Sequence, residues 1–262
     1  MKAFRNITAC LVLFFTPLLS MAWGMNGHRI SGQIAENYLT PKAKAAVRAI
    51  LGESVAIASN WADFIKSDTT YNYLYDWHFV DFDRPYAYPE MVEFLAHDNH
   101  TDAYTKTNFL ITELKKKNLP KDKKLLYLRV LIHLVEDIHQ PFHTGHTQDK
   151  GGNSIKLTWF GESTNLHSIW DSKLIDYQQL SYTEYVAAID NTTAAKRATW
   201  QKDPLTKWIF ESHEIAEKAY TEVQGKDIKS AYVYNFNHIA ELNQRLLMGG
   251  IRLAGVLNQL FG

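Results

Sequence analysis

Cysteine is almost missing from this chain, with one residue, Cys10, among 262. A single thiol excludes an intrachain disulfide and any multi-thiolate metal site, so a bound metal would sit on nitrogen and oxygen donors. Net charge is missing as well. Lys+Arg 28 balance Asp+Glu 28, which excludes a strongly basic nucleic-acid coat. A site for a polyanion must then gather its positive charge locally, as a metal can. A long hydrophobic span is also lacking. The apolar run at 7–19 is too short to cross a bilayer comfortably. It follows Lys2 and Arg5 and precedes Ser20-Met21-Ala22, the layout of a secretory signal peptide over residues 1–22 with Trp23 as the new N-terminus. Cys10 falls inside that segment. The stability of the remainder must come from core packing or from metals. Linkers, repeats and low-complexity tracts are absent from the sequence. With 46% hydrophobic and 21% charged residues, the composition excludes a mainly disordered chain. We therefore expect one domain over 23–262, large enough to bury a sizeable core.

What the chain does have is histidine, eleven residues of it, and helical periodicity. Apolar residues recur at helical spacing over 29–39, 42–51, 102–117, 123–138, 205–223 and 236–260. Gly249-Gly250 lies within the last of these and predicts close helix packing there. Pro141 ends the helix before it. Residues 154–160 predict a strand, one arm of a small hairpin.

The histidines fall at ligand-like spacings. His133 and Asp137 stand four apart in an apolar helical run, which puts both on one face. Such a pair is usually a surface hydrogen bond. Here the composition is that of a core, where an unpaired carboxylate is costly. His139 and His143 follow it. His167 and Asp171 repeat the spacing. Asp63, in Trp61-Ala62-Asp63, and His78, in Trp77-His78-Phe79, lie among aromatics, a setting that equally suits an ordinary satisfied polar group. At the expected N-terminus, Trp23-Gly24-Met25-Asn26-Gly27-His28 brings together a free amine, its own carbonyl and a histidine. An inert tail is the simpler reading of that segment taken alone.

Taken together, these motifs resemble the trinuclear zinc nucleases of the S1/P1 type. The order is Trp-Gly-x-x-Gly-His from Trp23, then Trp-Ala-Asp from Trp61, Trp-His-Phe-x-Asp from Trp77 and His-x-x-x-Asp-x-x-x-Pro-x-His from His133. Gly151-Gly152-Asn153 and His-x-x-x-Asp from His167 complete it. The resemblance runs from Trp23 to the C-terminal Gly250-Ile251-Arg252-Leu253-Ala254. It implies a mainly α, single-domain helical fold of the zinc phospholipase C / single-strand nuclease type with a small β-hairpin. It also implies a secreted or periplasmic monomer, off the membrane once the signal is cleaved, that binds three Zn2+ ions. Its substrates would be single-stranded DNA and RNA, cut to 5′-phosphorylated products, and 3′-nucleotides.

Carried over by residue, the resemblance gives Asp63, His78, His133 and Asp137 to the first zinc. Trp23, through its amine and carbonyl, His28 and the second oxygen of Asp137 go to the next, so that Asp137 bridges a close pair. His143, His167 and Asp171 go to the third. Phe79 and Asp81 match the base pocket, one stacking and one hydrogen-bonding the base edge. Asn153 and Lys66 match phosphate contacts, and Asp63 can also accept a proton from the attacking water. This chain departs from the family's fungal and plant members in two ways. Lys66 stands where they usually carry Arg, which keeps the charge but loses the bidentate fork. Their disulfides are missing, which looks like a bacterial relative whose stability depends on metal.

Two other readings stand beside this one. Zinc-dependent phospholipase C shares the fold and ligands but cleaves lipid phosphodiesters, and Phe79 could also meet a quaternary ammonium. A zinc-storage protein would hold the metal and hydrolyse nothing.

Overall fold

The computed structural model describes residues 23–262. The signal-peptide expectation for 1–22, with Cys10, lies outside the described residues. The expected helices form as Met25–Asn37, Pro41–Leu51, Ala103–Leu114, Lys121–Asp137, Leu205–Val223 and Ala231–Phe261. Local chemistry sets their ends. Thr40 accepts from the Ala43 N–H at 3.2 Å and Pro41 opens the helix behind it, an N-cap followed by a residue with no amide to lose. Helices at Tyr88–Ala96, Tyr182–Ile189 and Ala194–Lys202 are additions that the periodicity did not predict. Each is nine residues or fewer, too short for a strong period.

The strand expected at 154–160 is a two-stranded hairpin, Lys156–Trp159 paired antiparallel with Glu162–Asn165. Phe160 and Gly161 turn it with φ of 48° and 85°, the left-handed pair that matches strand twist in a two-residue loop.

The N-terminal helix Met25–Asn37 lies against the long C-terminal helix. A Cβ on Gly250 would come within 2.6 Å of the Ile34 side chain and 2.7 Å of the Ser31 carbonyl. The expected close packing at Gly249-Gly250 is therefore met, and these two helices can approach only because the side chain is missing. Two apolar clusters result. One gathers Leu128, Leu131 and Leu134 with Trp208, Leu253 and Leu257. The other gathers Trp23, Ile30, Ile34, Trp170 and Leu246. The C-terminal turns of Lys121–Asp137 run between the N-terminal helix and the rest, and every residue from Val130 to Asp137 is buried. No described helix is long and apolar enough to cross a membrane.

Candidate metal centre and substrate cleft

A helix that is buried all round at its end must place whatever polar residues it carries in the core. His133, Glu136 and Asp137 are each 0% exposed. The sequence brings them partners from separate elements. His28 comes from the first turn of the N-terminal helix, and Asp63 from the short helix Trp61–Phe64. His78 ends the 3-10 helix Thr69–His78, and His143 sits in the 3-10 turn Pro141–Thr144. His167 and Asp171 come from a helical turn that continues as a π-helical segment, Ile169–Lys173, a local widening common at functional sites.

Three groups of donors result, and within each group the ligating atoms lie within 4.8 Å of one another: His28, His133 and Asp137; Asp63, His78 and His133; His143, His167 and Asp171. All eight side chains expected as ligands are thus brought together. The two oxygens of Asp137 face different ways. Oδ2 is 3.1 Å from His133 Nε2 and 3.1 Å from His78 Nδ1, whereas Oδ1 is 3.4 Å from His28 Nε2. His133 also lies 3.7 Å from Asp63, and His167 Nε2 lies 3.1 Å from Asp171 Oδ2. Trp23 is wholly buried beside them. Its indole donates to the Glu136 carbonyl at 2.8 Å, and the next amide, of Gly24, donates to the Asp171 carbonyl at 2.8 Å.

The donor set fits metal ions. His133, His143 and His167 each donate Nδ1–H to a main-chain carbonyl, of Ser59, His78 and Gly151, at 2.7, 2.6 and 2.6 Å. His28 turns Nδ1 to Glu136 at 2.6 Å. Those bonds fix the rings and point Nε2 inward. His78 is the exception, pointing Nδ1 inward. Among the inward atoms, His28 Nε2, Asp63 Oδ2, Asp137 Oδ1, His143 Nε2 and His167 Nε2 are buried with no hydrogen-bond partner. Five such orphans in one place would be very costly unless cations satisfy them.

Electrostatics agrees. Burial, aided by neighbouring histidines, holds His28, His78 and His143 well below the usual imidazole range, so they are neutral, as ligation requires. For His133, burial also pulls down, but the Asp137 and Asp63 carboxylates outweigh it and the net direction is up. Burial pushes Asp137 and Asp171 up to about 6, against the pull of His133 and His167. A bound cation would reverse that shift and keep the carboxylates ionised.

An open cleft of about 800 Å³ adjoins the clusters, lined in part by His78, His143 and His167 and by Lys66, Phe79, Asp81 and Asn153. Residues 79–82 are extended and hydrogen-bond to the segment after His143, Val80 N to His143 O at 2.8 Å and Phe82 N to Gly145 O at 2.9 Å. Side chains therefore alternate. Val80 and Phe82 enter the core, and Phe79 and Asp81 face the cleft. Burial pushes Asp81 up to about 6, and its Oδ1 has no hydrogen-bond partner. Lys66 Nζ donates to Asp63 Oδ1 at 2.6 Å, so it stands at the boundary between donors and cleft. Asn153 follows Gly151 and Gly152, whose φ values are 58° and 78°. A Cβ on Gly151 would fall 2.2 Å from the Phe142 carbonyl, so the loop that supplies Asn153, and the carbonyl that orients His167, requires glycine there.

Sequence reasoning missed the supporting residues. Glu136 bonds His28 and accepts from Ser59 Oγ at 2.9 Å. Gln140 donates to Asp171 and accepts from the Phe142 amide. Glu136 had a signal, since it stands beside Asp137 in the same apolar run and faces the same cost of burial. His139 and His213 donate to the Val135 and Thr144 carbonyls at 2.7 Å each and belong to none of the three donor groups.

Residues 23–262 match the family model described as S1/P1 Nuclease. Among curated proteins, Endonuclease 3 of Arabidopsis thaliana is 29% identical, over 95% of this chain and 93% of its own. Nuclease S1 of Aspergillus oryzae is 24% identical over 92% of each chain. Nuclease P1 of Penicillium citrinum is 25% identical over 92% of this chain and 98% of its own.

Proposed function

The chain belongs to the S1/P1 nuclease family, and from that premise we propose that it is a secreted, zinc-dependent endonuclease acting on single-stranded DNA and RNA. It leaves 5′-phosphorylated products and also dephosphorylates 3′-nucleotides. The observation that carries this reading is the set of unpartnered buried donors, reached through His143 and His167, beside a cleft whose wall presents an aromatic ring and a carboxylate. Three zinc ions at those donors, one of them also on the Trp23 amine and carbonyl, would supply water activation and charge neutralisation at the phosphodiester.

The chain's own residues do the rest. Asp137 offers one oxygen to each of two donor groups and sets their separation. Asp63 accepts a proton from the attacking water, and Lys66, 2.6 Å from it, is placed to hold that carboxylate and meet a phosphate oxygen. Asn153 donates to the phosphate. Phe79 stacks on the base, which must be unpaired to reach it, and single strands are therefore preferred. Asp81 takes the base edge. Its raised proton affinity makes it a donor as well as an acceptor on the acid side of about 6.

The test is to offer the purified protein single-stranded DNA, RNA, a 3′-nucleotide and phosphatidylcholine. Hydrolysis of the two polymers to 5′-phosphate ends, and of the 3′-nucleotide to nucleoside and inorganic phosphate, is expected. Turnover of the lipid alone would mean a phospholipase, and zinc binding without turnover would mean storage. The N-terminus sharpens the test. An amide nitrogen has its lone pair delocalised and ligates poorly, so protein extended by Met-Ala before Trp23 should lose activity and one zinc. Cleavage back to Trp23 should restore both. Equal zinc content in the two forms would remove Trp23 from the ligand set.

A further inference from the structure

The 3-10 helix Thr69–His78 has three residues per turn, so its faces repeat every third position. Tyr75 and His78 form one face and line the metal cleft. Leu74 and Trp77 form the next face and, with Tyr73, line a second groove of about 280 Å³ on the other side of the same helix. That volume lies at the small end of ligand pockets, enough for one flat group. Phe109 and Tyr127 close the far wall. Tyr73 meets Trp77, and Phe109 meets Tyr127, both edge-on, with centroids 5.7 and 5.8 Å apart. Tyr73 also stacks on Tyr71 with centroids 6.3 Å apart, which leaves its other face toward solvent. Tyr73 is 51% and Phe109 39% exposed.

The groove also carries basic groups at its rim in a protein of zero net charge. Lys106 Nζ lies 5.0 Å from the Trp77 ring centroid and 5.7 Å from that of Phe109. Lys123 joins it at the rim. Between Glu113 and Lys124 the chain carries six lysines against two acidic residues, and only Lys116, which pairs with Glu113, is neutralised among the described residues. Exposed aromatic faces beside uncompensated ammonium groups are what a nucleobase followed by its phosphate needs. A purely apolar partner would leave the lysines unpaired.

We propose that this groove is a second subsite for the single-stranded substrate, where a base outside the metal cleft stacks against Tyr73 and its phosphates meet Lys106 and Lys123. The subsite rests on the nuclease reading above and extends it: a strand crossing one helix would occupy both places. It gives length preference to a protein whose metal cleft alone would treat a mononucleotide and a polymer alike.

The test compares wild type with Tyr73→Ala/Lys106→Ala/Lys123→Ala, three positions at or near the surface. On an oligodeoxythymidylate of ~12 nucleotides the KM should rise ~5-fold or more, the loss of one stacked base. The salt slope of log kcat/KM should flatten by about one per lysine removed. Hydrolysis of a 3′-nucleotide should stay within ~2-fold. Equal losses on both substrates, or no loss on the oligomer, overturn the proposal. A phosphorothioate oligomer carrying 5-iodouracil gives a readout that does not need turnover. Photo-crosslinks to Tyr73, Trp77 or Tyr127 support the subsite, and crosslinks confined to Tyr75 and Phe79 refute it. If wild type cleaves neither substrate, the nuclease reading fails by itself, and the crosslink still decides whether the groove takes single strands.

Discussion

Two buried polar regions flank the end of the Lys121–Asp137 helix, and they are built on opposite plans. Around Arg252 every polar group is answered. Its guanidinium donates to Asp203 at 2.6 Å, Glu211 at 2.8 Å and the Trp200 carbonyl at 3.2 Å, and its Nη1 lies 3.1 Å from His139 Nε2. Arg245 reaches the same Glu211 at 2.9 Å, Ser212 at 2.7 Å and the Trp208 carbonyl at 3.1 Å. Around Asp137 the outward-facing nitrogens of His28, His133, His143 and His167 are answered, and five inward-facing atoms are not. Both regions hold buried histidines together with carboxylates, though Asp203 and Glu211 keep 26% and 21% of their side chains exposed where Asp63 and Asp137 keep none, so residue type does not distinguish a scaffold from a site. What distinguishes them is whether the protein completes its own hydrogen bonds. The first network closes on itself and fixes the C-terminal helix to its neighbours. The second is left open for something the chain does not contain.

The largest break in that comparison is Asp137→Asn. It keeps size and removes a carboxylate whose two oxygens face His28 on one side and His78 and His133 on the other, so activity should fall by at least ~10³-fold and zinc content should drop. A loss below tenfold would contradict the bridging role. Asp171→Asn should instead lower occupancy of the third group while sparing the other two.

Metal removal comes next. The donors run from His28 to Asp171 and no disulfide can replace them. Binding well above Kd contributes ~4 kcal/mol or more, which for a domain of this size is ~10 °C in Tm. EDTA should lower Tm by that order, and reductant should leave it unchanged. An unaltered melting curve after verified removal would mean the open plan carries no stability.

Arg252→Met tests the closed region. It strands Asp203 and His139 and leaves Glu211 to Arg245 alone, and should cost about 2–4 kcal/mol, read as a fall in Tm. Zinc content of the folded protein should be unchanged. Loss of zinc in step with Tm would show that the two regions are one.

The smallest effect lies away from both. Asp102 caps the helix Ala103–Leu114, accepting from the Thr105 amide at 2.8 Å. Burial and the Asp98 carboxylate push it up to about 7, whereas an unfolded aspartate titrates near ~3.9. Between those values the folded state binds more protons, so this residue makes stability fall as pH rises from ~4 to ~7. Asp102→Asn keeps a capping oxygen and should lose that fall. The Tm difference between variant and wild type should grow in the variant's favour from pH 5 to pH 8. A constant difference would refute it.

Sequence periodicity and turn chemistry carried the helical class, the six long helices and the hairpin, because each follows from residues a few positions apart. The candidate metal donors were legible for a related reason. His133/Asp137 and His167/Asp171 are pairs at one helical turn, and the other donors sit in short, compositionally odd motifs. Phe79 and Asp81 carry a period-two signal, but nothing local says that Val80 and Phe82 are the buried pair. The short helices were not legible because nine residues hold too little of a 3.6-residue period.

Only the tertiary structure decided which polar atoms stay open. That Glu136 turns to His28 and Ser59, that Gln140 holds Asp171, and that His139 answers Arg252 are contacts between residues far apart in sequence, except where Gln140 meets the Phe142 amide. The sequence by itself determined which side chains are available and which share a helical face, because those follow from composition and the geometry of one turn. The satisfaction of a buried hydrogen bond depends on what the rest of the chain brings within about 3 Å, and that is set by packing.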